Sequence, residues 1–263
     1  MSRFRNVAPL LAAGAAVVAL TGCAPAAKDA AASPASSSTP APPTDAAGLS
    51  ALLRQSASTI HSAHLAMNVT AGTASLTGSG DETLAAGKLQ SLDLTEQIPQ
   101  AGALRIVIVD GRTYLQLPPA MNRSGKPWVL VSPTSSNPAV RRLATTLESV
   151  RQSASLDRFT TLSSVATVTG HEQEILDGAS TTHYTLTVDV QKLPATLPGR
   201  EQLVAAGLTT LPIEMWVDDQ GRPVKFSEDL TVKAQHVSTV VTLGKFDSRV
   251  TITAPPADQV ATN

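Results

Sequence analysis

One cysteine and few aromatic residues are the first limits this 263-residue chain sets on itself. With Cys23 alone, no internal disulfide can form in any compartment, so the fold must be held by core burial. Phe, Trp and Tyr make up 3% of the chain, which leaves Val, Leu, Ile and Ala to build that core. An excess of one charge is also lacking. A formal net charge of -1 excludes the basic footprint of a nucleic-acid binder and gives no reason to expect a polyanionic partner. No apolar run reaches the ~20 residues that a bilayer-spanning helix needs. Also missing are a Cys/His set at zinc spacing, a Gly-x-Ser-x-Gly elbow and a three-glycine dinucleotide loop.

What the chain does have begins at its first residues. Arg3 and Arg5 precede an apolar segment from Val7 to Leu20, and small residues then lead into Cys23. Residues 1–22 read as a secretory signal peptide. The tetrapeptide Leu20-Thr21-Gly22-Cys23 resembles the lipobox of bacterial lipoproteins. That resemblance implies a diacylglyceryl group on the Cys23 sulfur, cleavage before Cys23, and a palmitate-type chain on the freed amine. Two or three chains anchor a protein stably where one is marginal. Ala24 to Asp45 is almost wholly Ala, Pro, Ser and Thr, too poor in apolar bulk to pack. Residues 23–45 are therefore expected to be a lipidated tether, reaching roughly 70 Å if fully extended. Residues 46–263 are expected to form one domain.

Within that domain, Leu49, Leu52, Leu53, Ser56 and Ile60 share one helical face, predicting a helix over 46–61. Alternation at Leu65, Met67 and Val69, and again at Leu92 and Leu94, predicts half-buried strands. Leu104 to Val109 is an apolar run but for Arg105, which predicts a strand covered on both faces. Asp110-Gly111 suits a type I′ hairpin turn. Trp128 to Val131 reads as a short strand. Asn137-Pro138 has the cap chemistry to open a second helix, with Val140, Leu143, Ala144, Leu147 and Val150 as its stripe. Phe159, Leu162 and Val165 suggest a further helical turn, and Pro198 to Ala206 a short helix. Strands are expected at 166–176, 182–190, 213–217, 224–232, 237–243 and 250–253. Helix, strands, helices, strands with short connections predict an α+β domain with a mostly antiparallel sheet and helices on one face.

The polar motifs have plain explanations. His61 and His64 share the spacing of one helical turn, but a zinc site needs three or four ligands; exposed histidines at a helix end are the simpler reading. His171-Glu172-Gln173-Glu174 lacks the second His of a zincin and reads as a solvated strand end. Gly78-Ser79-Gly80 reads as a bulge or turn. Asp218-Asp219 reads as turn chemistry. Glu228-Asp229 cannot act as a pair, because neighbours on a strand point to opposite faces. Asn68-Val69-Thr70 fits a glycosylation sequon without functional weight, and Arg141-Arg142 reads as a solvated helix face. No catalytic constellation emerges, and the chain is expected not to be an enzyme.

Several features together resemble the actinobacterial LppX/LprA/LprF/LprG lipoprotein family. They are the lipobox at Cys23, the Pro/Ser tether, a helix with Leu52-Leu53 ahead of a Ser-Ala-His sheet start, and the hairpin ending Gly111-Arg112-Thr113-Tyr114-Leu115. Further on come Ile213-Glu214-Met215-Trp216-Val217-Asp218 with Gly221-Arg222-Pro223-Val224-Lys225. The chain closes with Phe246-Asp247, Val250-Thr251-Ile252 and Ala254-Pro255-Pro256. The resemblance implies a LolA/LolB-like half-barrel, a curved antiparallel sheet with helices on its concave face around an apolar cavity. It implies a protein on the extracytoplasmic face of the cell membrane that binds acylated lipids or glycolipids and carries them within the envelope, working with a membrane exporter. Leu65, Met67, Ile106, Ile108, Leu115, Leu143, Leu147, Leu186 and Val188 are the expected cavity-lining residues, provided that the helix around 140–150 stands off the sheet. No metal or cofactor is expected. Three rivals remain: a sensor or regulatory lipoprotein binding an extracytoplasmic protein domain, an envelope enzyme, and a structural lipoprotein with a filled core.

Overall fold

Alternating apolar residues build most of this domain into a single sheet. The computed structural model describes residues 41–262, apart from 123, 136–139, 142, 143, 145, 146, 148–155, 198, 233 and 234. In chain order the elements are α1 (Ala46–Ala57), β1 (Ser62–Ala71), β2 (Ala74–Ala85), β3 (Lys88–Ile98), β4 (Gly102–Val109), β5 (Arg112–Gln116) and β6 (Trp128–Val131). Then come α2 (Asp157–Ser164), β7 (Ala166–Leu176), β8 (Ala179–Asp189), α3 (Arg200–Ala205), β9 (Thr210–Asp218), β10 (Pro223–Val232), β11 (Gln235–Gly244) and β12 (Val260–Thr262). Among the described residues, twelve strands form one open, curved sheet in the order β12-β6-β5-β4-β3-β2-β1-β11-β10-β9-β8-β7. Every pairing is antiparallel except β12 with β6. The expected α+β half-barrel is therefore present. Signal peptide, Cys23 and most of the tether lie outside the described residues, as do Asn137, Pro138, Leu143 and Val150.

Local chemistry sets the element ends. Asp45 caps α1 by accepting a hydrogen bond from the Gly48 backbone N–H at 2.7 Å. The helix expected to reach residue 61 stops at Ala57. The hydroxyls of Ser58 and Thr59 donate to the carbonyls of Gln55 and Ser56 at 2.6 and 2.9 Å, offering the last turn an alternative to continued helix. Asp110 and Gly111 adopt φ of 51° and 71°, as the type I′ turn between β4 and β5 requires. The strand expected at 250–253 is not formed. Ile252 instead packs against the cluster of Tyr114 and Trp128, and Pro255-Pro256 lacks the N–H groups that a ladder needs. The last strand is β12, with Val260 opposite Trp128.

The cross-strand register places two apolar clusters on the same face. One row runs Leu243, Leu65, Gly80, Leu94, Ile106, Leu115, Val129 across seven strands. Its members Leu65, Leu94, Ile106 and Leu115 form a buried cluster with Ile108, Val140 and Leu147. A second row runs Met67, Val241, Phe226, Met215, Tyr184. It belongs to the half of the sheet where Leu49 and Leu53 of α1 and Phe159 and Leu162 of α2 pack on Leu186, Val188 and Ile213. The helices thus cover this concave face. A smaller cluster of Val107, Tyr114, Trp128 and Val260 lies on the convex face, so β4 is covered on both faces at Ile106, Val107 and Ile108, as its apolar run predicted.

Candidate functional site

The concave face is where this fold can receive a ligand, and its polar residues are few. Towards the β1–β2 turn it is only half-buried, at Met67, Val69, Leu76, Leu104, Leu117 and Val241. Towards the other end, α1, α2 and the helical residues Val140 and Leu147 close over it. The segment around 140–147 does not stand off the sheet at those two residues: both are buried in the cluster of Leu65 and Ile106. Of the residues expected to line a cavity, Leu65, Ile106, Ile108, Leu115 and Leu147 come together there. Leu186 and Val188 lie in the other cluster, beneath α1 and α2. Met67 is half-buried beside Gly78, and Leu143 lies outside the described residues.

Three carboxylates share the concave face with these apolar residues, and alternation alone did not flag them. Glu228 of β10 is paired across the register with Ile213 and lies 4.0 Å from the guanidinium of Arg158 on α2. Burial raises its pKa, opposed by the Arg158 charge. Asp229, its neighbour, faces outward and meets His236 at 2.6 Å, as expected of adjacent strand residues. Glu96 of β3 lies opposite Gly78, and burial raises its pKa as well. Glu82 of β2 is the extreme case. It is 1% exposed, between Ala63 and Leu92, and neither carboxyl oxygen has a hydrogen-bond partner. Burial pushes its pKa up to about 8, so the carboxyl is largely protonated at neutral pH. Its signal in the sequence is an acid in phase with Gly78, Gly80 and Leu84, at the period of a buried face, while Asp81 beside it points to the other face.

A cleft of about 550 Å³ opens where the chain enters the domain, lined by Pro42, Pro43, Leu52, Thr182, Tyr184 and Val217 among others. The Tyr184 hydroxyl is buried without a partner, and burial pushes its pKa up to about 12. A second cleft of about 620 Å³ involves Thr95, Arg105, Gln116 and Asn122. Neither includes a residue that the sequence assigned to a cavity.

The other singled-out motifs resolve locally. His61 follows α1 and its backbone N–H donates to Asp247, whereas His64 lies within β1 and meets Asp81 at 2.7 Å. They are not two residues on one helical turn, because β1 begins between them. Among the described residues, no group of three His, Cys, Asp or Glu side chains could hold a metal. His171 to Glu174 lie in the middle of β7, not at a strand end, and Glu174 accepts from the Trp216 indole N–H at 2.7 Å. Gly78 and Gly80 are paired strand residues; the register shift falls later, between Thr83 and Leu84. Asp218 accepts from the backbone N–H groups of Gln220 and Arg222, the turn chemistry expected of it.

An open antiparallel half-barrel with helices in its concavity is a LolA/LolB-like fold. No family model matches the sequence, and no curated protein matches it. Among solved structures, the lipoprotein LppX from Mycobacterium tuberculosis superposes with a TM-score of 0.50 at 19% identity, over 79% of this chain and 99% of that one. LprF from Mycobacterium bovis gives 0.48 at 18% identity, over 81% of this chain and 99% of the other. The Pseudomonas aeruginosa MucA/MucB complex gives 0.35 at 14% identity, over 81% and 59%. The likeness to LppX shows the fold, which is the one the sequence resemblance implied.

Proposed function

We propose that this chain is a lipoprotein anchored through Cys23 to the extracytoplasmic face of the cell membrane, and that its domain binds an acylated lipid or glycolipid and carries it within the envelope. The observation that carries this reading is the predominantly apolar concave face, closed by helices at one end and half-buried at Met67, Val69, Leu76, Leu104 and Leu117 at the other. A face of that kind binds acyl chains by removing apolar area from water, at about 25 cal/mol per Å² before ordering costs. It needs no sharply placed reacting groups, in keeping with a carrier and not an enzyme. The LppX-type fold and the lipobox support the same reading. No helix of the described residues is long and apolar enough to cross a membrane; the proposed anchor is the lipidated Cys23. A membrane exporter is the partner from which such a carrier would take its cargo.

The test is native mass spectrometry, followed by organic extraction, on protein produced in a lipid-containing host. Co-purified acylated lipid in stoichiometric amount is the expected result. Repeated recovery of empty protein that takes up no acylated lipid overturns the carrier reading. Cys23→Ala is expected to move the protein out of the membrane fraction, and retention there overturns the anchor.

A further inference from the structure

The cleft where the chain enters the domain has two unlike walls. Along one, Gln173, Thr182 and Val217 stand in one row across β7, β8 and β9. The Gln173 side-chain N–H donates to the Thr182 hydroxyl at 2.8 Å. That bond uses neither the Thr182 O–H nor the Gln173 carbonyl oxygen, so a ligand can accept from one and donate to the other. The exposed Asp219 carboxylate, just past the end of β9, adds an acceptor. The other wall is apolar: Pro42 and Pro43 at the base of the tether, and Leu52 of α1. This wall is held in place. The Pro43 Cβ lies 2.9 Å from where a Gly48 Cβ would stand, and Leu52 is seated on Gly221 of the β9–β10 turn, 2.6 Å by the same measure. Tyr184 forms the floor; it is fully buried, and its hydroxyl is without a partner. A buried hydroxyl left unpaired calls for an explanation, and a ligand group in the cleft supplies one.

The lining decides the chemistry. It contains no Lys or Arg among the described residues, and the neighbouring Arg222 guanidinium is engaged by Asp218 at 2.7 Å. An anion therefore has nothing to pair with. An acyl chain would leave the hydroxyls and the amide unmatched. A sugar ring matches both walls, with hydroxyls on its rim and C–H groups on its face. The volume of about 550 Å³ suits about one or two such rings. The cleft also stands apart from the half-buried end of the concave face. Val69 and Leu186 lie on one side of the row from Met67 to Tyr184, and Thr182 lies on the other. We infer that this cleft is a carbohydrate site, taking a neutral pyranose between the base of the tether and the β7–β8–β9 side of the sheet. The site does not require lipid carriage. Its sugar belongs either to a glycan or to the headgroup of a glycolipid.

The experiment uses the full chain in polyoxyethylene detergent micelles, which carry no sugar. Saturation-transfer NMR is read on the methyl pyranosides of glucose, mannose, galactose and N-acetylglucosamine, and on their octyl counterparts. Transfer to at least one of them is expected, with binding about fivefold weaker in Gln173→Ala and in Tyr184→Phe. Both variants spare the core, because Gln173 is exposed and Tyr184→Phe removes only an unpartnered hydroxyl. Gln116→Ala, in the second cleft, is expected to change nothing. Transfer to a methyl pyranoside that the variants weaken assigns the site to a glycan. Variant-sensitive transfer confined to the octyl glycosides assigns it to a glycolipid headgroup. No transfer to any of these sugars, or transfer that neither variant weakens, overturns the site and leaves the carrier reading intact.

Discussion

His183 stands directly across from Trp216 in the β8–β9 ladder and lays its imidazole flat on the indole, ring centroids 4.1 Å apart and planes at 5°. On the other side of the same row, the Lys225 ammonium lies 4.0 Å from the Trp216 ring centroid. Glu214 meets the His183 Nε2 at 2.6 Å, and Glu174 lies 3.3 Å from Nδ1. The outer surface of this sheet is thus tied by a chain of cross-strand contacts, each of modest worth. A double-mutant cycle with His183→Ala and Trp216→Leu, read by urea unfolding, is expected to give a coupling of about 1 kcal/mol. Additive single-mutant effects would show that the stack adds nothing beyond burial.

That cluster also shows where sequence reading runs out. The alternation of Tyr184, Leu186 and Val188 was visible, and β8 appears where it predicted. His183, on the opposite face, carries no local signal, because its partners come from β7 and β9, as far along the chain as Trp216. Hairpin turns were legible for the same reason that long-range pairs were not: Asp110-Gly111 carries its φ preference in two adjacent residues. The apolar inner face is legible from period two, and Ile106, Ile108 and Leu115, expected to line a cavity, lie in a buried cluster on that face. Which apolar residues are packed tight and which are half-open depends on where the helices lie, and that is a tertiary outcome. Glu82 was overlooked because one acid within a strand pattern looks like a solvent-facing residue until its register against Ala63 and Leu92 is known.

The buried Glu82 carboxyl sets a pH dependence. Its pKa lies at about 8 in the folded protein against an ordinary 4.5, with burial as the cause. Between those values the folded state keeps a proton that the unfolded chain gives up. Stability therefore falls as pH rises from 4.5 to 8 and levels off above, by roughly 5 kcal/mol at most. Glu228 and Glu96 also have raised values, so the reading is the difference between wild type and Glu82→Gln. Thermal unfolding at pH 5 and pH 8.5 is expected to show a larger loss for wild type, with the variant the more stable at pH 8.5. Parallel pH profiles would overturn the assignment.

The root of the tether depends on one cap. The Asp45 carboxylate accepts from the Gly48 N–H, and the Leu49 N–H donates to the Asp45 carbonyl at 3.0 Å. Leu49 and Leu53, one turn apart, are fully buried beneath this start. Asp45→Ala is expected to cost about 1 kcal/mol by urea unfolding, and Asp45→Asn much less, since an amide oxygen can still accept. Equal losses for the two variants would mean that the charge near the helix N-terminus, and not the hydrogen bond, carries the effect.

Gly80 marks the closest approach of β2 to β3. A Cβ there would collide with the Asp93 carbonyl oxygen and lie 2.7 Å from the Leu94 Cα, backbone atoms that no rotamer change can move away. The residue lies in the ladder between Leu65 and Leu94, so relief requires the two strands to part and the buried row to shift with them. Gly80→Ala is expected to cost about 2 kcal/mol or more and to speed hydrogen exchange of the β2 and β3 amides. Gly170→Ala is the matched control, because a Cβ on that strand residue meets only Thr185, at 3.9 Å. Alanine there is expected to change stability by about 0.5 kcal/mol or less. Similar effects at the two glycines would mean that the sheet is pliant at Gly80, and that the curvature of the half-barrel is not fixed by this contact.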